Sequence, residues 1–90
     1  MRILQYPSFE KTVKKLHPNE KRDLDKAIKE LIQDPQAGEL KKGNLSGIRV
    51  YKFKMLRQLT LLAYIYNKTG KSITLLALGS YENFYRDLKK

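Results

Sequence analysis

From Met1 to Tyr6 apolar and polar side chains partly alternate until Pro7 stops the run, which predicts a short first strand. Ser8 then stands where a helix N-cap is wanted. Phe9, Val13 and Leu16 recur at i, i+4, i+7 among Glu10, Lys11, Lys14 and Lys15, so residues 8–16 read as a short amphipathic helix, broken by His17-Pro18-Asn19. The next segment has the strongest period in the chain. Leu24, Ala27, Ile28, Leu31 and Ile32 fall at i, i+3, i+4, i+7, i+8 between charged neighbours, predicting a helix that begins near Pro18 or Asn19. It ends by Gln33, because Asp34-Pro35 disfavours helical continuation. Two helices joined by so short a turn form a helical hairpin.

After Gly38 the period changes from helical to extended, with Gly43-Asn44 and Ser46-Gly47 as turn signals around Leu45. Ile48–Met55 alternates: Tyr51, Phe53 and Met55 face one way, Lys52 and Lys54 the other, giving a strand with an aromatic core face and a cationic face. Leu59–Tyr66 is apolar on both faces and rich in strand formers, which predicts a central strand. Asn67-Lys68-Thr69-Gly70 reads as a turn, Ser72–Leu78 as another buried strand, and Tyr81–Lys90 as a short C-terminal helix carrying Phe84, Tyr85 and Leu88. The expected architecture is α+β, with the N-terminal strand and helical hairpin packed on a mainly antiparallel β-sheet. Local pattern leaves the strand order open.

At 90 residues the chain is expected to make one domain spanning 1–90. With 0 Cys there are no disulfides, no thiol chemistry and no Cys-based zinc site, and the start Met1-Arg2-Ile3-Leu4-Gln5 lacks a secretory apolar core, so a cytoplasmic location and no membrane association are expected. The charge is more informative than the composition. Nineteen Lys+Arg against 9 Asp+Glu give +10, and residues 1–39 hold 8 basic and 7 acidic side chains. Between Glu39 and Glu82 there is no acid, while Lys41, Lys42, Arg49, Lys52, Lys54, Arg57, Lys68 and Lys71 contribute +8. A folded stretch that repels itself in this way is most simply kept for a polyanionic partner, the bland alternative being a solubilising surface.

The chemistry open to these residues is limited. One His, in the helix–helix turn, reads as structural or solvated, and the acids of the basic half are Glu82 and Asp87, so no metal and no cofactor are expected. What remains is a cationic strand face with Lys52 and Lys54 at i, i+2, Arg57 beyond it, and a C-terminus carrying Tyr81, Tyr85 and Arg86. Such a face suits metal-free RNA cleavage by the adjacent 2′-OH, in which fixed cations stabilise the charge gained by the phosphate and one group takes a proton while another supplies one. Lys52 or Lys54, crowded by like charge, is a candidate base, with Tyr81, Tyr85 and Glu82 as alternatives. Alternating lysines also serve merely to position phosphates, and late aromatics to anchor a core or a protein contact.

The order of strand, helical hairpin, basic meander and aromatic-basic tail resembles the RelE/ParE superfamily of toxins from type II toxin–antitoxin modules. The resemblance covers nearly the whole chain and is carried by Leu45-Ser46-Gly47 leading into Val50-Tyr51-Lys52-Phe53-Lys54, by Leu61-Leu62-Ala63-Tyr64, and by Leu78-Gly79-Ser80-Tyr81-Glu82-Asn83-Phe84-Tyr85-Arg86-Asp87-Leu88. It implies a RelE-like fold and a cytoplasmic toxin, either a metal-independent, ribosome-dependent mRNA endoribonuclease that inhibits translation or a ParE-like DNA gyrase poison. Lys52 and Lys54 match the two active-site lysines of the RelE strand, and Tyr81 and Tyr85 stand as further catalytic candidates. Lys41, Lys42, Arg49, Arg57 and Arg86 are the candidate RNA-binding residues. An arginine that RelE carries on the following strand falls at Leu61, another at Tyr81, and RelE's late tyrosine at Asp87. The implied partners are a cognate antitoxin, the ribosome and mRNA or alternatively gyrase, and operator DNA only through the antitoxin complex. A nontoxic basic RNA-binding module is the third reading.

Overall fold

The computed structural model describes residues 1–43 and 47–81, so the expected C-terminal helix, Tyr85 and Arg86 lie outside the described residues. The elements follow as β1 (Arg2–Gln5), α1 (Pro7–Lys14), α2 (Pro18–Gln33), β2 (Glu39–Leu40), β3 (Arg49–Met55), β4 (Gln58–Asn67) and β5 (Ser72–Ser80). The strands form a single sheet in the order β1-β5-β4-β3-β2. β3, β4 and β5 make the expected meander, whereas β1 lies parallel to β5, with Ile3 opposite Ile73. Among the described residues no helix is long and apolar enough to cross a membrane.

The helices cover one face of this sheet. Phe9 of α1 and Leu24 and Leu31 of α2 pack with Leu62 and Tyr64 of β4 and Ile73, Leu75 and Leu78 of β5. Each large apolar side chain fully withdrawn from water contributes about 1.5–3 kcal/mol, so this layer is the main source of stability. The second face has its own apolar row, Val50, Leu61 and Ala63. That explains why β4 is apolar on both sides: Leu62 and Tyr64 look toward the helices, Leu61 and Ala63 away from them, and all four are fully buried.

The helix starts differ from expectation in one respect. α1 begins with Pro7 at its first turn and Tyr6 as its N-cap, so Ser8 is inside the helix. Its hydroxyl instead donates to the Leu76 carbonyl at 3.2 Å. The register of β4 and β5 shifts between Ala63↔Ala77 and Tyr64↔Leu75, leaving Leu76 as the extra residue of a bulge. Ser8 therefore serves a carbonyl at the irregularity rather than a helix end. α2 opens with Pro18 at its start, and the His17 backbone N–H donates to Glu20 Oε1 at 2.9 Å, giving His17 a structural place.

Tyr64 ties the connection after α2 to the sheet. Its hydroxyl donates to the Pro35 carbonyl at 2.7 Å and accepts the Gly38 N–H at 2.9 Å. Gly38 must be glycine here, because a Cβ would lie 2.7 Å from the Tyr64 ring. Arg49 completes the anchor, its Nη1 donating to the Gly38 carbonyl at 2.9 Å. This connection leads into β2, whose two residues pair Glu39 with Val50 and Leu40 with Arg49.

Candidate polyanion-binding site

β3 separates two chemistries by parity. Tyr51 and Phe53 turn to the helix layer and stack on each other, ring centroids 6.2 Å apart, while the intervening Lys52 and Lys54 are exposed on the opposite side. Lys52 sits directly across from Leu61 and Lys54 across from Leu59. Both lysines lie on the part of β3 that runs past the short β2, so among the described residues their strand edge has no neighbouring strand there. Lysines at such an edge also discourage unwanted strand pairing.

A two-residue hairpin then joins β3 to β4. Met55 pairs with Gln58, and the two residues between them, Leu56 and Arg57, both have positive φ, 52° and 71°. Tight hairpins use this geometry because its twist matches that of the flanking strands, normally with Asn or Gly at the tip. Here an exposed Leu and an exposed Arg occupy it. The Leu56 N–H is taken by Asp23 Oδ2 of α2 at 2.9 Å. Sequence reasoning missed Asp23, which belongs to the charged face of an amphipathic helix and carries no local mark of a contact with residue 56.

The end of β5 closes the same end of the sheet. Thr60 of β4 pairs with Ser80, which is followed at once by Tyr81, half exposed. Lys52, Lys54, Arg57 and Tyr81 are thus gathered where β3 ends, β4 begins and β5 ends. Among the described residues, Lys52, Lys54 and Arg57 form no ion pair; the pair present joins Lys41 to Glu39 at 3.4 Å. Among the described residues, the other expected RNA contacts, Lys41, Lys42 and Arg49, do not join this group. Arg49 turns to the helix side and spends its guanidinium on the Gly38 carbonyl, while Lys41 and Lys42 follow β2 at the other end of β3.

Behind the cationic strand, the Tyr51 hydroxyl donates to Glu30 Oε2 of α2. This hydrogen bond to an acidic partner, with desolvation and the Glu30 charge added, pushes the Tyr51 phenol from 10.0 up to about 12. Burial likewise pushes the Tyr64 phenol up. Because the folded value for Tyr51 lies above the unfolded one, the protonated phenol stabilises the fold fully below pH 10.0, and that contribution is lost as pH rises through about 12. An ultraviolet phenolate titration should therefore show one phenol ionising near pH 12, absent in Tyr51→Phe and moved back toward 10.0 in Glu30→Gln. A Glu30→Gln titration identical to that of the parent chain would contradict the assignment.

A small antiparallel meander, backed by a helical hairpin on one face and carrying on the other Lys52 and Lys54, which form no ion pair among the described residues, defines a small α+β fold with a cationic strand face. The chain belongs to the ParE-like toxins of type II bacterial toxin–antitoxin systems, whose family pattern matches residues 3–89. Comparison with curated proteins finds no match. Among solved structures, it is similar to a chain of the intact E. coli RelBE toxin–antitoxin complex, with a TM-score of 0.71 and 18% identity over 88% of this chain and 94% of that one. It is also similar to the isolated E. coli RelE toxin, with a TM-score of 0.70 and 18% identity over 98% of this chain and 95% of that one. A YoeB/ParE toxin from Agrobacterium tumefaciens gives a TM-score of 0.72 and 14% identity over 90% and 99%. At these identities the likeness to solved structures shows the fold, and the expected RelE-like architecture is the one observed.

Proposed function

We propose that this toxin is a metal-independent endoribonuclease acting on mRNA at the ribosome and held inactive by a cognate antitoxin. One observation carries the reading: Lys52 and Lys54 stand side by side on an exposed strand face, with Arg57 just beyond, and none is ion-paired among the described residues. Three basic side chains at one sheet end, unpaired among the described residues, provide a cradle for a phosphodiester. Attack by a 2′-OH on the adjacent phosphorus adds charge to the phosphoryl oxygens, and fixed ammonium and guanidinium groups stabilise that charge more than the ground state. One of Lys52 and Lys54, as the free amine, takes the 2′-OH proton while the other lysine and Arg57 hold the phosphate charge, and Tyr81, at the same end of the sheet, is a candidate to deliver a proton to the departing 5′ oxygen. The similarity to RelE structures, three of them in complexes with antitoxin or an antitoxin peptide, supports both the RNase reading and the antitoxin.

Gyrase poisoning is the second reading. It is favoured by Leu61, fully buried and directly opposite Lys52, so that the centre of the cationic face is apolar. Induced expression separates the two when protein synthesis and chromosome integrity are followed together. The RNase reading predicts that amino-acid incorporation stops first, with transcripts cut within translated codons. Intact transcripts with accumulating double-strand DNA breaks would replace it by the gyrase reading.

A further inference from the structure

We infer that Asp23 is a positioning residue, whose carboxylate holds the β3–β4 hairpin tip in its left-handed conformation and so sets Arg57 as a phosphate contact beside Lys52 and Lys54. This rests on the polyanion-binding reading of the site, but not on which macromolecule is the target.

Consecutive positive φ values of 52° and 71° at Leu56 and Arg57 are disfavoured for side chains with a Cβ, and neither residue has the short polar group that makes Asn or Asp tolerant there. Something outside the turn must hold it. In a two-residue loop closed by the Met55↔Gln58 pair, the Leu56 N–H points away from the ladder, and Asp23 Oδ2, 33 residues away in sequence, accepts it at 2.9 Å. A charged acceptor makes this bond stronger than a neutral one would. The clamp is therefore tertiary, joining α2 to a turn whose own sequence does not favour its shape.

The same contact settles a second matter. Asp23 and Lys54 line one cavity of about 190 Å³ between α2 and β3, together with Lys26, Ala27, Glu30 and Phe53. The alternation of β3 turns the Lys54 side chain to the face away from α2, so the two charges are kept apart. Asp23 is bonded to backbone, and Lys54 keeps its charge unpaired among the described residues. The arrangement fixes the hairpin and leaves both neighbouring cations, Lys54 and Arg57, available to an anion. A turn built only for stability would carry Asn-Gly, which needs no clamp. The strained tip is retained with an exposed arginine, which points to the arginine's placement as its purpose.

Binding of a short single-stranded RNA of mixed sequence, measured by anisotropy across a salt series, tests this. Arg57→Ala should weaken binding about tenfold and make the slope of log K against log salt shallower by about 0.7, as expected for one lost phosphate contact. By charge alone, Asp23→Ala should tighten binding to a polyanion. Positioning predicts the reverse: weaker binding, the same loss of slope, and no further loss when combined with Arg57→Ala. Asp23→Asn, which keeps an acceptor oxygen, should bind at least as tightly as the parent chain. Asp23→Ala/Leu56→Gly, in which glycine adopts the left-handed turn unaided, should recover the parent slope even where Asp23→Ala is poorly folded. Tighter binding by Asp23→Ala, additive effects with Arg57→Ala, or no RNA binding by the parent chain at low salt would each overturn the inference. RNA binding with the expected variant pattern but no cleavage on ribosomes would instead overturn the RNase reading alone.

Discussion

Replacing Lys52 and Lys54 together by alanine should abolish growth arrest and lower mRNA cleavage at least about 100-fold while leaving the fold intact. Removing even one preorganised group that stabilises transition-state charge typically costs a factor of about 100–1,000 in rate. Both side chains are exposed on the face away from the helices and form no ion pair among the described residues. Their removal should therefore change stability by no more than about 0.5 kcal/mol, since exposed sites without special contacts tolerate truncation. Loss of net positive charge should even ease self-repulsion. Arginine substitutions should keep RNA binding but fail to restore full cleavage, because a guanidinium remains protonated and cannot take the 2′-OH proton. Equal toxicity of the double-alanine variant and the parent chain, at matched expression, would remove these lysines from the chemistry.

The second large effect concerns the scaffold. Tyr64→Ala should unfold the protein at growth temperature. The residue is fully buried at the centre of the helix-side core, and truncating a large aromatic there costs about 3–5 kcal/mol. It also strands the buried Gly38 N–H, at about 1–3 kcal/mol, and frees the half-buried Pro35 carbonyl, both bonded to the Tyr64 hydroxyl. Domains of this size hold a total of about 5–15 kcal/mol, so most or all of the margin is removed. Tyr64→Phe separates the two contributions. It keeps the ring and removes only the hydroxyl, so denaturant midpoints should place it between the parent chain and Tyr64→Ala. A Tyr64→Phe protein as stable as its parent would show that the connection between α2 and β2 is held without the phenol.

Much of the fold is legible in the chain because its punctuation is chemical. α2 runs from Pro18 to Gln33, as the first-turn proline and Asp34-Pro35 require, and β3 shows its two faces through strict alternation from Tyr51 to Met55. Pairings between distant segments are less visible. β1 lies parallel to β5 in a register with Ser72–Leu75 that joins opposite ends of the chain, for which Arg2–Gln5 carries no local signature. β2 has only two residues, too few to show a period. Ser8 carries the residue type of an N-cap but lies one position inside α1, and its hydroxyl meets a bulge that exists only once β4 and β5 have paired.

The candidate site divides in the same way. Lys52 and Lys54 are placed by parity alone. Arg49 shares the parity of Tyr51, which puts it on the helix side, yet a count of charges groups it with the RNA contacts. Arg57 reads as a cation beyond a strand, but not as the tip of a turn with positive φ, because neither Leu56 nor Arg57 is a turn-forming residue. The clamp from Asp23 joins residues that become neighbours only in the folded chain.

Cleavage of ribosome-bound RNA by the lysines at the end of the sheet is open to direct test. Purified toxin, freed from its antitoxin and added to ribosomes stalled on a defined mRNA, tests it most directly when the 5′ ends of the products are mapped. Cuts are expected inside the codon held in the decoding site, none on the same mRNA without ribosomes, and none with Lys52→Ala/Lys54→Ala. Uncut mRNA under these conditions, with purified gyrase trapped on cleaved DNA by the same preparation, would contradict it.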